Sequence, residues 1–172
     1  MSEKKKILVL DGGGIKGVVA ASFLATIQEH TGKNVADYFD LVVGTSTGGI
    51  LALGLGMGLS PREILTFYEQ DGPRIFGQLN AFDKPKWHRR FTNGLMQRFK
   101  SAKQYVQPKH SSAQLEAALK RVFDGKRLGD SNLRLVIPSY FAESNELYVF
   151  KTRHAPRFEH DWKKTVLEVA KA

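Results

Sequence analysis

Residues 41–59 read Leu-Val-Val-Gly-Thr-Ser-Thr-Gly-Gly-Ile-Leu-Ala-Leu-Gly-Leu-Gly-Met-Gly-Leu. Taken whole, the stretch carries no charge and approaches the length of about 20 apolar residues that a membrane span needs. Its punctuation argues against a span. Six of its residues are glycine, and it divides into a strand-like start, a Gly/Ser/Thr turn and a helix-like remainder. Phe39–Val43 therefore reads as a short buried strand. Gly49–Met57 reads as a helix apolar on most sides, with Gly58 placed to close it. A buried strand followed at once by a buried helix is the βα unit of a parallel sheet.

The same grammar continues outward. Lys6–Leu10 is a short apolar run entering a tight glycine loop. Val18–His30 has helical spacing through Val19, Phe23, Leu24 and Ile27, and Gly32 marks its stop. Ser60, Pro61 and Glu63 form a capping box with proline in the first turn, predicting a helix to about Gln70. Asp71-Gly72 then reads as a turn, and residues 71–110 as irregular and basic. Ser111 and Gln114 repeat the capping pattern ahead of Leu115, Leu119, Val122 and Phe123, and Asp124-Gly125 turns the chain. Leu133–Ile137 and Leu147–Phe150 read as strands and Trp162–Ala172 as a helix. The expectation is one α/β domain over residues 1–172, a largely parallel sheet flanked by helices.

Composition is that of an ordinary globular chain, with 42% apolar and 25% charged residues. Cysteine is absent, which removes disulfides, thiol nucleophiles and thiolate metal sites and fits a reducing, cytoplasmic setting. The N-terminus is not a secretory signal, because the apolar run Ile7–Leu10 is too short and stops at Asp11.

Two motifs carry chemistry. The first is Gly44-Thr45-Ser46-Thr47-Gly48, a G-x-S-x-G between an apolar strand and an apolar helix. A serine on such a sharp turn has its hydroxyl pushed out of the sheet. The following helix aims its free N–H groups at the same point. The plainer alternative is a glycine-rich turn in which Ser46 only caps the helix. The second motif is Asp11-Gly12-Gly13-Gly14-Ile15-Lys16-Gly17, joining the first strand to the first helix. Consecutive glycines can turn backbone N–H groups one way and form an anion-binding concavity. Such donors can stabilise an oxyanion by about 3 kcal/mol each. Gly13 and Gly14 are the expected donors, with Gly12 and Gly17 shaping the loop. Lys16 either adds positive charge or is simply solvated.

Gly12, Gly14 and Gly17 also match the dinucleotide fingerprint G-x-G-x-x-G, which predicts an acid at the end of the second strand. That strand ends in Val42-Val43-Gly44, and the nearby Asp40 lies at its start. A dinucleotide-binding oxidoreductase is thus a second reading, but it leaves Gly44–Gly48 unexplained. A P-loop fails on spacing.

Together the two motifs resemble the patatin-like phospholipase family, whose signature is Asp-Gly-Gly-Gly-x-Arg/Lys-Gly followed about 30 residues later by Gly-x-Ser-x-Gly. Leu115–Phe123, Leu133–Pro138 and Leu147–Thr152 are similar to the family's middle region, and residues 77–105 are the least family-like. The resemblance implies a nucleophile elbow (Gly44, Thr45, Ser46, Thr47, Gly48) and an oxyanion hole from Gly12, Gly13, Gly14, Lys16 and Gly17. It also implies attack by Ser46 on a lipid or phospholipid acyl ester, an aspartate as base, and no metal or organic cofactor. The family's aspartate lies in a later Asp-Gly-Gly or Asp-Gly-Ala motif, and apart from the glycine loop at Asp11 no such motif occurs here. The expectation is a domain incomplete at its C-terminal end and a poor hydrolase by itself. A non-catalytic lipid- or partner-binding fragment of the same fold is the alternative.

Other bases are available by chain order alone. Asp124 or Asp130 with His154 or His160 would satisfy Ser…Asp…His. A solvent-facing role is the expectation for His30, His88, His110, His154 and His160, which lack metal-ligand spacing. From Lys84 to Lys109 there are eight Lys or Arg and no acid, so this stretch holds nearly all of the net charge of +9. Trp87, Phe91, Leu95 and Phe99 fall on one helical stripe. Residues 84–109 could lie peripherally on an anionic membrane or pack their aromatics on the core. No recognition motif supports nucleic acid.

Overall fold

The computed structural model describes residues 4–76, 110–141 and 144–172. Among them the strands are β1 (Ile7–Leu10), β2 (Leu41–Gly44), β3 (Leu135–Phe141) and β4 (Glu146–Lys151). The helices are α1 (Gly17–Thr31), α2 (Thr47–Gly56), α3 (Pro61–Ile75), α4 (His110–Phe123) and α5 (Val166–Lys171). The sheet order is β1-β2-β3-β4. β1, β2 and β3 are parallel, with Ile7 opposite Leu41 and Val42 opposite Leu135. β4 returns antiparallel beside β3, with Ile137 opposite Phe150. The α/β class and the largely parallel sheet expected from the sequence are therefore present. β1 lies at one edge, and its Ile7 and Val9 are exposed.

The centre of the molecule is α2. Every residue from Thr47 to Gly56 is buried, as its lack of a polar face predicts. It packs against β1, β2, β3, α1 and α3. Leu51, Leu53 and Leu55 are essentially inaccessible beside Val42, Leu119, Leu135 and Val166. Burying each leucine contributes about 1.5–3 kcal/mol. α1 packs on α3, α3 on α4 and α4 on α5, so the remaining helices form a continuous layer.

Local signals place the ends. Gly32 adopts φ 63° and closes α1 with its N–H on the Gln28 carbonyl. At α3 the Glu63 N–H donates to Ser60 Oγ at 3.2 Å, and the Ser60 N–H donates to Glu63 Oε2 at 2.8 Å. The capping box is formed as its residues require.

Three expectations are corrected. Asp71-Gly72 is not a turn, and α3 runs on through Pro73 to Ile75. Asp71 is buried and pairs with Arg121 of α4, a long-range partner that holds the helix together. The Trp162–Ala172 segment is not one helix. A 3-10 turn at Asp161–Lys163 is followed by α5, which starts at a second capping box, Thr165 with Glu168. β3 continues past Ile137 through Pro138. Proline fits there because β2 has already ended, so the missing N–H breaks no ladder on that side. The aromatic stripe and basic run of residues 84–109 lie outside the described residues.

Candidate active site

β1 and β2 end side by side, with Leu10 opposite Gly44, so the two loops that leave them must touch. The contact is tight enough to dictate residue types. A Cβ on Gly48 would lie 2.1 Å from the Leu10 carbonyl oxygen, and one on Gly44 would lie 2.2 Å from the Gly48 carbonyl oxygen. Both distances are far inside van der Waals contact. The two glycines of G-x-S-x-G are thus required by the approach of α2 to β1 and by the turn itself.

Ser46 sits at the apex with φ 53° and ψ −123°. A side-chain-bearing residue rarely holds this conformation, which costs about 1–3 kcal/mol and persists only where its surroundings impose it. Ser46 occupies the N-cap position of α2, but its side chain makes no capping hydrogen bond. The plain capping role is therefore not what the geometry shows. The residue is exposed and lies directly before a buried helix whose first N–H groups have no intrahelical acceptor.

The glycine loop runs past this apex. A Cβ on Gly12 would lie 3.1 Å from Ser46 Cβ. The Gly12 N–H donates to Thr45 Oγ1 at 3.2 Å, and the Gly13 N–H donates to Thr47 Oγ1 at 3.1 Å. The loop then makes a 3-10 turn, Gly14–Lys16, before α1. The Lys16 N–H donates to the Gly13 carbonyl, and the Gly17 N–H turns back to the Gly14 and Ile15 carbonyls. Gly14 opens the turn at φ 60°, and its N–H there has no intrahelical acceptor. Lys16 is exposed and Gly17 buried. All the motif residues singled out in the sequence therefore lie in one place, with their N–H groups differently engaged.

Beside Ser46 opens a groove of about 490 Å³. Thr45, Ser46 and Gly49 form one side, and Pro138, Tyr140 and Leu147 the other. No carboxylate or imidazole side chain is among the described residues lining it. His154 lies at the opposite end of the sheet. Its Nδ1 is 3.1 Å from Thr152 Oγ1, which accepts the Leu135 N–H at the start of β3. It is half-buried instead of solvent-facing. Burial and the nearby charge of Arg134 hold its pKa below the ordinary value. Asp130 caps its own turn through the Arg127 N–H, and His160 is exposed. The chain-order candidates for a Ser…Asp…His triad are thus not assembled at Ser46. Asp40 is likewise engaged at the far end of β2, accepting the Lys6 N–H at 2.8 Å, so among the described residues no acid stands where a ribose-binding residue would be needed.

One residue of the site is not signalled by either motif. Tyr68 of α3 is buried, and its hydroxyl donates to the Thr47 carbonyl at 3.0 Å. Only its place on the apolar stripe of α3 could have hinted at it, and that stripe reads as ordinary core.

The family description "Patatin-like phospholipase" matches residues 8–168 of the chain. The chain belongs to the patatin-like phospholipase family. It is 34% identical over 166 residues to a cGAMP-activated phospholipase of Pseudomonas aeruginosa, covering 96% of this chain and 45% of that protein. It is 32% identical over 179 residues to a cGAMP-activated phospholipase of Vibrio cholerae, covering 100% of this chain and 48% of that protein. The chain thus spans about half the length of these curated relatives. Its fold is similar to that of VipD from Legionella pneumophila, with TM-score 0.52 and 15% identity over 99% of this chain and 42% of that one. The type III effector protein ExoU is similar at TM-score 0.51 and 16% identity, over 98% of this chain and 38% of that one. Among the described residues no helix is long and apolar enough to cross a membrane.

Proposed function

We propose that this patatin-like chain carries the nucleophile and the oxyanion-binding loop of a phospholipid acyl hydrolase. Ser46 attacks the ester carbonyl, and the tetrahedral oxyanion is met by N–H groups of the glycine loop, with that of Gly14 the most available. Lys16 adds positive charge at the rim. The base is an aspartate from outside the described residues; none of the described residues lining the groove beside Ser46 has a carboxylate side chain. Collapse of the intermediate expels the alcohol and leaves an acyl ester on Ser46, which water then clears.

The observation that carries the reading is the strained Ser46 apex, φ 53° with an uncommitted side chain, in contact with the glycine loop at Gly12. A cap or spacer would not need that strain. The test is covalent labelling by a fluorophosphonate probe. Ser46 should label, weakly if the base is absent, and Ser46→Ala should not. Equal labelling of the two would overturn it. Activation by a cyclic dinucleotide, which the names of those bacterial relatives state for them, belongs to the same proposal. Adding cGAMP should raise lipid hydrolysis by the protein if this chain shares that control, and no change in rate would remove it.

A further inference from the structure

Tyr68 and Gly72 of α3 and Phe76, its C-cap residue, fall four residues apart and so continue one stripe. That stripe faces the glycine loop residue by residue. The Tyr68 ring covers Gly17, where a Cβ would lie 2.8 Å from the phenol oxygen. Gly72 receives Ile15, whose Cδ1 would be 2.5 Å from an added Cβ. Phe76 stacks on Tyr68 with ring centroids 6.4 Å apart and reaches the Cβ position of Gly14 at 3.7 Å. At the same time the Tyr68 hydroxyl holds the Thr47 carbonyl, one residue after Ser46. Thr47 in turn accepts the Gly13 N–H.

We propose that Tyr68 is a positioning residue for the reaction at Ser46, fixing the glycine loop and the first turn of α2 in one relative placement. The proposal rests on the reading of Ser46 as nucleophile. Tyr68 touches neither Ser46 nor the expected oxyanion. It acts through Thr47 on one side and Gly17 on the other. An oxyanion hole works only when its donors are held where the charge develops, and displacement by about 1 Å can cost two orders of magnitude in rate. The phenol suits this role, because burial pushes its pKa far above the ordinary value and keeps the hydroxyl a donor. The Thr47 carbonyl sits at the first helical position of α2. A hydrogen bond there constrains the elbow and adds little to the helix.

Tyr68→Phe keeps the ring and removes the hydroxyl. Three quantities decide the matter in the wild type and this variant: thermal midpoint, amide hydrogen exchange, and the kinetics of fluorophosphonate labelling, with Ser46→Ala as the zero. The expected result is a folded variant in which exchange of the Gly13 amide, bonded to Thr47, rises at least tenfold, while that of Val43 and Leu53 changes less than twofold. Labelling should slow about tenfold or more in its maximal rate, with the half-saturating probe concentration unchanged. Labelling within twofold of wild type would overturn the proposal, and so would a uniform rise in exchange across β2 and α2. Failure of the wild type to label at Ser46 would instead sink the nucleophile reading and with it the reaction Tyr68 would serve.

Discussion

The Gly13 N–H donates to the Thr47 hydroxyl at 3.1 Å and so joins the two motifs across 34 residues of sequence. Thr45 and Gly12 make a parallel bond one step away at 3.2 Å. The threonines that flank Ser46 are therefore not mere spacers of the elbow. They register the glycine loop against it.

Thr47→Val tests that clamp. Thr47 is only 2% exposed, so an isosteric valine leaves the Gly13 N–H without its acceptor. The expected cost is about 1–2 kcal/mol of stability in urea unfolding. Thr47→Ser should recover most of it. Equal stability of the valine and serine variants would mean the hydrogen bond contributes nothing net.

Ser46→Gly separates strain from chemistry. Glycine adopts φ 53° without penalty but also loses more entropy on folding. The balance predicts a gain of about 1 kcal/mol over wild type. Ser46→Ala retains the strain and should gain little. Both should lose probe labelling. A Ser46→Gly chain no more stable than Ser46→Ala would show that the apex is relaxed.

Gly48→Ala should be among the most damaging small substitutions in the chain. Its methyl would meet the Leu10 carbonyl at 2.1 Å, where both partners are backbone and neither can rotate away. A loss of at least about 3 kcal/mol is expected. Gly49→Ala, whose methyl would meet its nearest neighbour at 3.2 Å, should cost far less. Calorimetric midpoints of the pair measure the difference.

His154 sets a pH dependence that can be signed. Its folded pKa lies below the ordinary 6.5, from burial first and from Arg134 next. The unfolded chain therefore binds the proton first as pH falls. Stability contributed by the neutral ring is complete above pH 6.5 and declines as pH drops from there through the folded pKa. The urea midpoint should fall in that window and flatten in His154→Gln. An NMR titration placing His154 at or above 6.5 would refute the assignment.

Much of this was legible in the chain. Gly44–Gly48 between a buried strand and a buried helix announces a strained turn, because only small residues let the backbone reverse there. Ser60, Pro61 and Glu63 mark the start of α3 by short-range chemistry alone. What could not be read depends on distant partners. Asp71-Gly72 has turn composition, yet Arg121 and Ile15 come from other elements to keep it helical. The antiparallel sense of β4 follows from its short return after β3, which periodicity does not encode. Thr165 with Glu168 is a capping signal that was present and outweighed by the apolar run around it. Tyr68 looks like any core aromatic until the Thr47 carbonyl is seen opposite it.

β1 has a last consequence. Its outer edge carries no partner strand among the described residues, and Ile7 and Val9 are 55% and 63% exposed. An open, apolar edge is a template for strand addition between copies, and so for aggregation. The residues just before it are Lys4, Lys5 and Lys6, whose mutual repulsion between chains acts as a gatekeeper. Salt screens that repulsion. Concentrated, high-salt solutions of this chain should self-associate through β1, and dilute, low-salt buffers should keep it dispersed.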